Sequence, residues 1–141
     1  MTAKRKILIV EDVGLVHEAY RLKLTGQLGE EGAREVEFLH AFTVKEAKRL
    51  FNLNPDLVAV VMDACVPGEK PTTLNLARQM RKSGFRGPMI AASSVPLFRD
   101  KLRRAGCDLH ADKAEVPARL CEVLRRLENA EKGGGDEEKT G

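Results

Sequence analysis

Aromatic residues are scarce in this chain of 141 residues, which has five Phe, one Tyr and no Trp. Its core must therefore be aliphatic, and it lacks the interleaved aromatic and basic residues on which single-stranded bases stack. Charge of one sign is not in excess either. A formal net charge of +3 falls well short of a nucleic-acid footprint, so no direct nucleic-acid contact is expected. Cysteine is sparse and odd in number: Cys65, Cys107 and Cys121, without CxxC spacing. That excludes a disulfide or zinc framework and reads as reduced thiols in the cytoplasm. Long hydrophobic runs are missing too. After the basic start Met1-Thr2-Ala3-Lys4-Arg5-Lys6, the apolar run Ile7-Leu8-Ile9-Val10 is too short for a signal peptide or a membrane span. The length suits one domain with a single good core.

What is present centres on Leu57-Val58-Ala59-Val60-Val61-Met62. Six apolar residues rich in valine read as a strand buried on both faces, as in parallel sheets. The run ends on Asp63, and Pro67-Gly68 turns the chain soon after. An aspartate often caps such a turn. At the carboxyl end of a central parallel strand it also faces the crevice where open α/β sheets bind ligands, and there it needs a cation, a proton or hydrogen-bond donors.

Other runs repeat the pattern. Ile7 to Val10 ends in Glu11-Asp12, and Leu15, Ala19 and Leu22 then fit a helix that Gly26, Gly29 and Gly32 terminate. Val36, Phe38 and His40 alternate as an edge strand. Thr43-Val44-Lys45-Glu46 is a capping box opening a second helix, which stops before Asn54-Pro55. A third helix starts near Thr72 or Thr73 and ends at Ser83-Gly84. Met89-Ile90-Ala91-Ala92 runs into Ser93-Ser94, and Pro96 opens a fourth helix closed by Gly106. A short strand over Cys107 to Ala111 precedes Asp112-Lys113. The last helix begins near Pro117 and breaks at Gly133-Gly134-Gly135. The predicted domain is 1–132, with 133–141 a disordered Gly/acidic tail. Five βα units imply a doubly wound α/β fold on a five-stranded parallel sheet.

In such a sheet Glu11-Asp12, Asp63, Ser93 and Asp112-Lys113 all lie at one edge and can share a pocket. Close carboxylates repel unless a cation intervenes, and oxygen-only ligands favour Mg²⁺. An aspartate beside a metal, a lysine and a hydroxyl is a plausible phosphoryl acceptor. Each residue has a plainer reading as well. Glu11-Asp12 can cap a helix, Ser93 can cap the helix at Pro96, and Lys113 can be a solvated lysine.

The runs Ile7-Leu8-Ile9-Val10-Glu11-Asp12, Asp63-Ala64-Cys65-Val66-Pro67, Ile90-Ala91-Ala92-Ser93-Ser94 and Gly106-Cys107-Asp108 with Lys113, in this order, resemble a receiver domain of the two-component response-regulator family. The resemblance extends from Lys6 to about Glu131. It implies a flavodoxin-like strand order 2-1-3-4-5 and a stand-alone signalling module, not an enzyme. Asp63 would accept a phosphoryl group from a phosphohistidine on a sensor histidine kinase or a histidine phosphotransfer protein. Asp12, Asp63 and the Cys65 backbone carbonyl would ligate Mg²⁺, with Glu11 acting through water. Ser93 would be the switch hydroxyl and Lys113 the phosphate-pairing cation. The face built by the fourth helix, fifth strand and fifth helix would meet a downstream protein, or a second copy in a homodimer. The basic cluster Arg99, Lys101, Arg103, Arg104, Arg125 and Arg126 lies there and reads either as a wet helix surface or as a contact for an acidic partner.

The chain departs from the family in places. Ala114 follows Lys113 where the family has proline after a cis peptide, and a cis bond without proline costs roughly 3 kcal/mol. His110 holds the position of the switch aromatic. The turn from Gly68 to Thr73 is extended and lacks the family's glycine before the third helix. Cys65 and Val95 occupy the positions that tune dephosphorylation, and neither orients water, so a long-lived phosphoryl group is expected. A Cys65→Asn, Val95→Glu double variant should shorten its half-life, and an unchanged half-life would reject the idea. Two other readings compete. A degenerate receiver would act only as a docking or dimerisation module. A Mg²⁺-dependent phosphatase with an aspartyl nucleophile would want a second acid where Cys65 stands.

Overall fold

The computed structural model describes residues 4–140, with side-chain surroundings described through Lys132. Five strands alternate with five helices: β1 (Arg5–Val10), α1 (Gly14–Arg34), β2 (Val36–Ala41), α2 (Val44–Leu53), β3 (Ala59–Asp63), α3 (Leu74–Lys82), β4 (Met89–Ala92), α4 (Pro96–Ala105), β5 (Leu109–Ala111) and α5 (Val116–Thr140). A 3₁₀ turn, Lys113–Glu115, joins β5 to α5. All pairings are parallel and the sheet order is β2-β1-β3-β4-β5, as the sequence predicts.

The near-continuous apolar runs follow from a sheet covered on both sides. Successive strand residues point to opposite faces, so both parities must be apolar. Leu8, Val10, Val60, Met62, Met89 and Ala91 pack under α2, α3 and α4. Ile7, Ile9, Val61 and Ile90 face the layer of α1 and α5, where Tyr20, Leu24, Leu120 and Leu124 meet them.

Several local expectations are corrected. Of the three glycines only Gly29 interrupts α1: it leaves helical geometry at φ 77° and divides the element into two helical segments, the second running to Arg34, while Gly26 and Gly32 stay helical. Leu28 still packs on the core just before that kink, while the α1 residues that follow it are exposed or half-buried. The capping box is half as predicted. The Glu46 amide donates to Thr43 Oγ1 at 3.0 Å, but Glu46 Oε1 accepts from the Phe42 amide at 3.2 Å, one residue before the N-cap. The backbone of α5 continues helically through Gly133-Gly134-Gly135, where the sequence places a break. Glycine weakens a helix by about 1 kcal/mol per residue relative to alanine, but it keeps both backbone hydrogen-bonding groups. Lys113–Ala114 is not cis, since the cis peptide among the described residues is Val66–Pro67. Among those residues no helix is long and apolar enough to cross a membrane.

Candidate functional site

Parallel strands bring four chain segments to the carboxyl edge of the sheet. β1 delivers Glu11 and Asp12, β3 ends on Asp63, β4 leads into Ser93, and β5 leads into Asp112 and Lys113. Glu11 and Asp63 are nearly enclosed, at 1% and 6% exposure. Carboxylate oxygens of Glu11, Asp12 and Asp63 all lie within 4.8 Å of one another. Lys113 reaches between them: its Nζ donates to Glu11 Oε1 at 2.7 Å and to Asp63 Oδ2 at 3.3 Å. The Val13 amide donates to Glu11 Oε2 at 3.1 Å, and the Cys65 amide to Asp63 Oδ1 at 3.4 Å.

Burial sets the electrostatics. It holds the Glu11 and Asp63 carboxyls above the usual carboxylate range, and Lys113 pulls each back only in part. Burial also works against the charge on Lys113, but the hydrogen bond to Glu11 and the nearby Asp63 outweigh it and hold the ammonium above its ordinary value. Burial, then the Asp63 charge, push the Cys65 thiol up, so Cys65 stays a protonated, poorly nucleophilic thiol. With one ammonium among three oxygen-donor acids, the site is short of positive charge. Its donor set is the hard-oxygen kind that suits Mg²⁺.

A cavity of about 330 Å³ opens above Asp63, and Cys65, Ser93, Val95 and Lys113 line it together with Glu69 from the extended turn. Ser93 Oγ accepts the Val95 amide at 3.1 Å, which spends a lone pair and not the hydroxyl hydrogen. Val95 is the N-cap residue of α4. His110, on β5, is exposed and does not line this cavity.

Four features escaped the sequence reading. Thr73, fully buried, does not cap α3 with its hydroxyl; Oγ1 turns back to the Asp63 carbonyl at 2.8 Å, with the Ala64 carbonyl at 3.2 Å. Thr72 Oγ1 closes the same turn, donating to the Val66 carbonyl at 2.8 Å and accepting its amide at 2.9 Å. The two threonines thus anchor the extended turn directly behind Asp63. Arg99, read from sequence as part of a basic surface cluster, instead donates to the Ser93 carbonyl and to Asp112 Oδ1, both at 2.8 Å. His17, under Glu11, places Nε2 at 2.7 Å from the Glu11 carbonyl and Nδ1 at 2.8 Å from His40 Nδ1. A carbonyl only accepts, so His17 carries its proton on Nε2 and accepts from His40 when both rings are neutral. Burial lowers both histidines from their usual value, which favours that neutral pair. The alternating strand pattern placed His40 on an edge strand but gave no hint of a partner on α1.

No protein-family model matches this sequence, and comparison with curated proteins finds no match either. Solved structures do match. The N-terminal domain of an uncharacterized protein from Wolinella succinogenes is 25% identical, with a TM-score of 0.69 over 94% of this chain and 99% of that one. A response regulator receiver protein from Pseudoalteromonas atlantica is 19% identical, with a TM-score of 0.69 over 89% of this chain and 98% of that one. A CheY-like receiver domain protein from Methanospirillum hungatei JF-1 is 20% identical, with a TM-score of 0.66 over 92% and 98% respectively. With its sheet order and helix layers, this chain has the fold of response-regulator receiver domains.

Proposed function

We propose that this domain is a phosphoacceptor of a two-component phosphorelay in the cytoplasm, with Asp63 as the residue phosphorylated. One observation carries the reading most directly: a lysine ammonium bridges two buried carboxylates, Glu11 and Asp63, at the mouth of a cavity that Ser93 also lines. In the transfer, an Asp63 oxygen bonds to the phosphorus of a phosphohistidine, the P–N bond breaks, and the donor's imidazole leaves with the bonding pair. Lys113 then pairs with the new phosphoryl charge, and the Ser93 hydroxyl donates to one of its oxygens. Asp12, Asp63 and the Cys65 carbonyl would hold Mg²⁺, with Glu11 contributing through water. Bound there, the ion supplies positive charge that offsets the phosphoryl oxygens.

The donor is a sensor histidine kinase or a histidine phosphotransfer protein. Output runs through the face of α4, β5 and α5 to a downstream protein or to a second copy of the chain. Arg99 couples site to surface. Its guanidinium, on α4, holds both the Ser93 carbonyl and Asp112, so any shift of the Ser93 or Lys113 loop pulls on that helix.

The test is intact-protein mass after incubation with acetyl phosphate, with and without Mg²⁺, on wild type and on Asp63→Asn. A single phosphoryl adduct is expected on wild type with Mg²⁺ alone. An equal adduct on Asp63→Asn would overturn the assignment. No adduct on either protein would leave the fold as a docking or dimerisation module.

A further inference from the structure

The helices of this domain differ in charge. On α1 and α5 the signs are mixed and pair along each helix, as in Arg21 with Glu18, Arg119 with Glu122, and Lys132 with Glu128. On α2 and α3 six cations, Lys45, Lys48, Arg49, Arg78, Arg81 and Lys82, stand against one acid, Glu46. That acid is already engaged by the Phe42 amide, and Arg86 follows in the next loop. Lys45, Lys48, Arg49, Lys82 and Arg86 are exposed, and among the described residues they make no ion pair.

Between these two helices the surface sinks into a groove. A cavity of about 310 Å³ beside Phe51, Asn54 and Phe85 adjoins one of about 110 Å³ where Leu76 and Met80 form the floor and Lys48 the rim. The two share Phe51, Asn52 and Ser83, so they form one continuous depression. Leu76 and Met80 are 2% and 1% exposed, so they close the bottom without projecting. Phe51 and Phe85 meet edge to face at 5.7 Å, both rings are half-buried, and the Arg81 guanidinium lies 5.6 Å over the Phe85 ring.

We infer that the α2–α3 groove is a docking site for an acidic amphipathic helix of a partner protein. Apolar side chains on one face of such a helix would enter over Leu76, Met80 and Phe51, while flanking carboxylates meet Lys48, Arg49, Lys82 and Arg86. Amide and hydroxyl groups of Asn52, Gln79 and Ser83 on the rim satisfy polar groups at its edge. The shape argues against the other anionic occupants. A membrane surface takes protruding apolar residues, not a concave floor, and single-stranded nucleic acid wants exposed aromatic faces along a basic track. The larger cavity lies at the carboxyl ends of α2 and α3, and the smaller one runs from there along both helices toward Lys48 and Leu76.

The probe is a synthetic peptide of about 18 residues, long enough for several helical turns, with Leu and Phe on one helical face and Glu and Asp elsewhere. Titrated into the ¹⁵N-labelled protein, it should give saturable shifts at Phe51, Met80 and Ser83, equally in wild type and Asp63→Asn. Lys48→Glu with Lys82→Glu should weaken affinity roughly tenfold or more, and added salt should weaken wild-type binding. Asn52→Trp, which fills the groove without changing charge, should abolish the shifts, with thermal melts confirming that both variants fold. Equal binding of a peptide with the same composition in scrambled order would overturn the inference. So would shifts confined to α4, self-association that moves the same signals without peptide, or tighter binding of a single-stranded oligonucleotide or phosphatidylglycerol vesicles.

Discussion

Lys113→Met is expected to cost about 3 kcal/mol of stability near pH 8, in buffer containing a chelator, and to cost much less near pH 5. The change leaves Glu11, 1% exposed, without its 2.7 Å partner, and strips the nearby Asp63 of its cation. The figure sits at the low end for an orphaned buried charge because 35% of the lysine side chain faces solvent. Its pH dependence follows from the carboxyls. Burial already raises both in the folded state, and Lys113 is what lowers them. Without the lysine they rise further, and a carboxyl with a raised folded-state pKa binds its proton more tightly folded than unfolded. Stability therefore falls as pH climbs from the ordinary carboxylate range through the raised one, and returns as pH is lowered. In the wild type, the contribution of Lys113 is lost on the alkaline side only as pH rises through its raised folded value, and on the acid side it fades as Glu11 and Asp63 take up protons. Urea unfolding at the two pH values decides the matter. An equal loss at both would mean that Lys113 contributes packing and not charge. The companion variant Asp63→Asn should move the other way, gaining about 1 kcal/mol near pH 8 by relieving the acid cluster.

The second large effect lies at the opposite edge of the sheet and concerns stability alone. Arg81→Met should lower stability by about 3 kcal/mol and the melting temperature by roughly 10 °C. The Arg81 guanidinium donates to the carbonyls of Gly106 at 2.8 Å, Phe85 at 2.9 Å and Gly87 at 2.8 Å, and to Asp108 Oδ1 at 3.1 Å. Asp108 Oδ1 in turn accepts the Met89 amide at 2.8 Å, so one side chain fastens the loops entering β4 and β5. Removing it strands several partly buried carbonyls, each a costly loss when the donor was charged. Gly106 belongs to this clasp. It caps α4 at φ 138°, and a Cβ there would meet Arg81 Cγ at 2.7 Å. Arg81→Lys should recover less than half of the loss, since an ammonium cannot reproduce the planar fork. A loss below about 1 kcal/mol for Arg81→Met, measured by urea melts, would show that water replaces the donors.

The expectations that held rest on local pattern. Ile7 to Val10, Ala59 to Met62 and Met89 to Ala92 are legible because a sheet covered on both sides demands apolar residues at both parities, and a carboxylate or hydroxyl ending such a run stands out. Those that failed are of two kinds. Gly26, Gly29 and Gly32 look alike in sequence, but a glycine only permits a break, and the chain breaks its helix at Gly29 alone. Thr73, Arg99, Arg81 and the His17–His40 pair carry no local signature. Each does its work on a carbonyl or a ring that the linear chain places elsewhere, and a polar residue on a helix looks the same whether it faces water or a neighbouring loop.

Sequence alone determined the five βα units, the parallel sheet and the set of residues that reach its carboxyl edge, because hydrophobic period and strand-end chemistry are properties of contiguous residues. Tertiary structure alone decided which of those residues touch. It placed Lys113 on both Glu11 and Asp63, turned the Thr73 hydroxyl back behind Asp63, and drew Arg99 from the surface into the Ser93 loop. The reason is physical: a buried polar group must find a partner, and only the folded chain fixes which donors and acceptors lie within 3 Å or so of it.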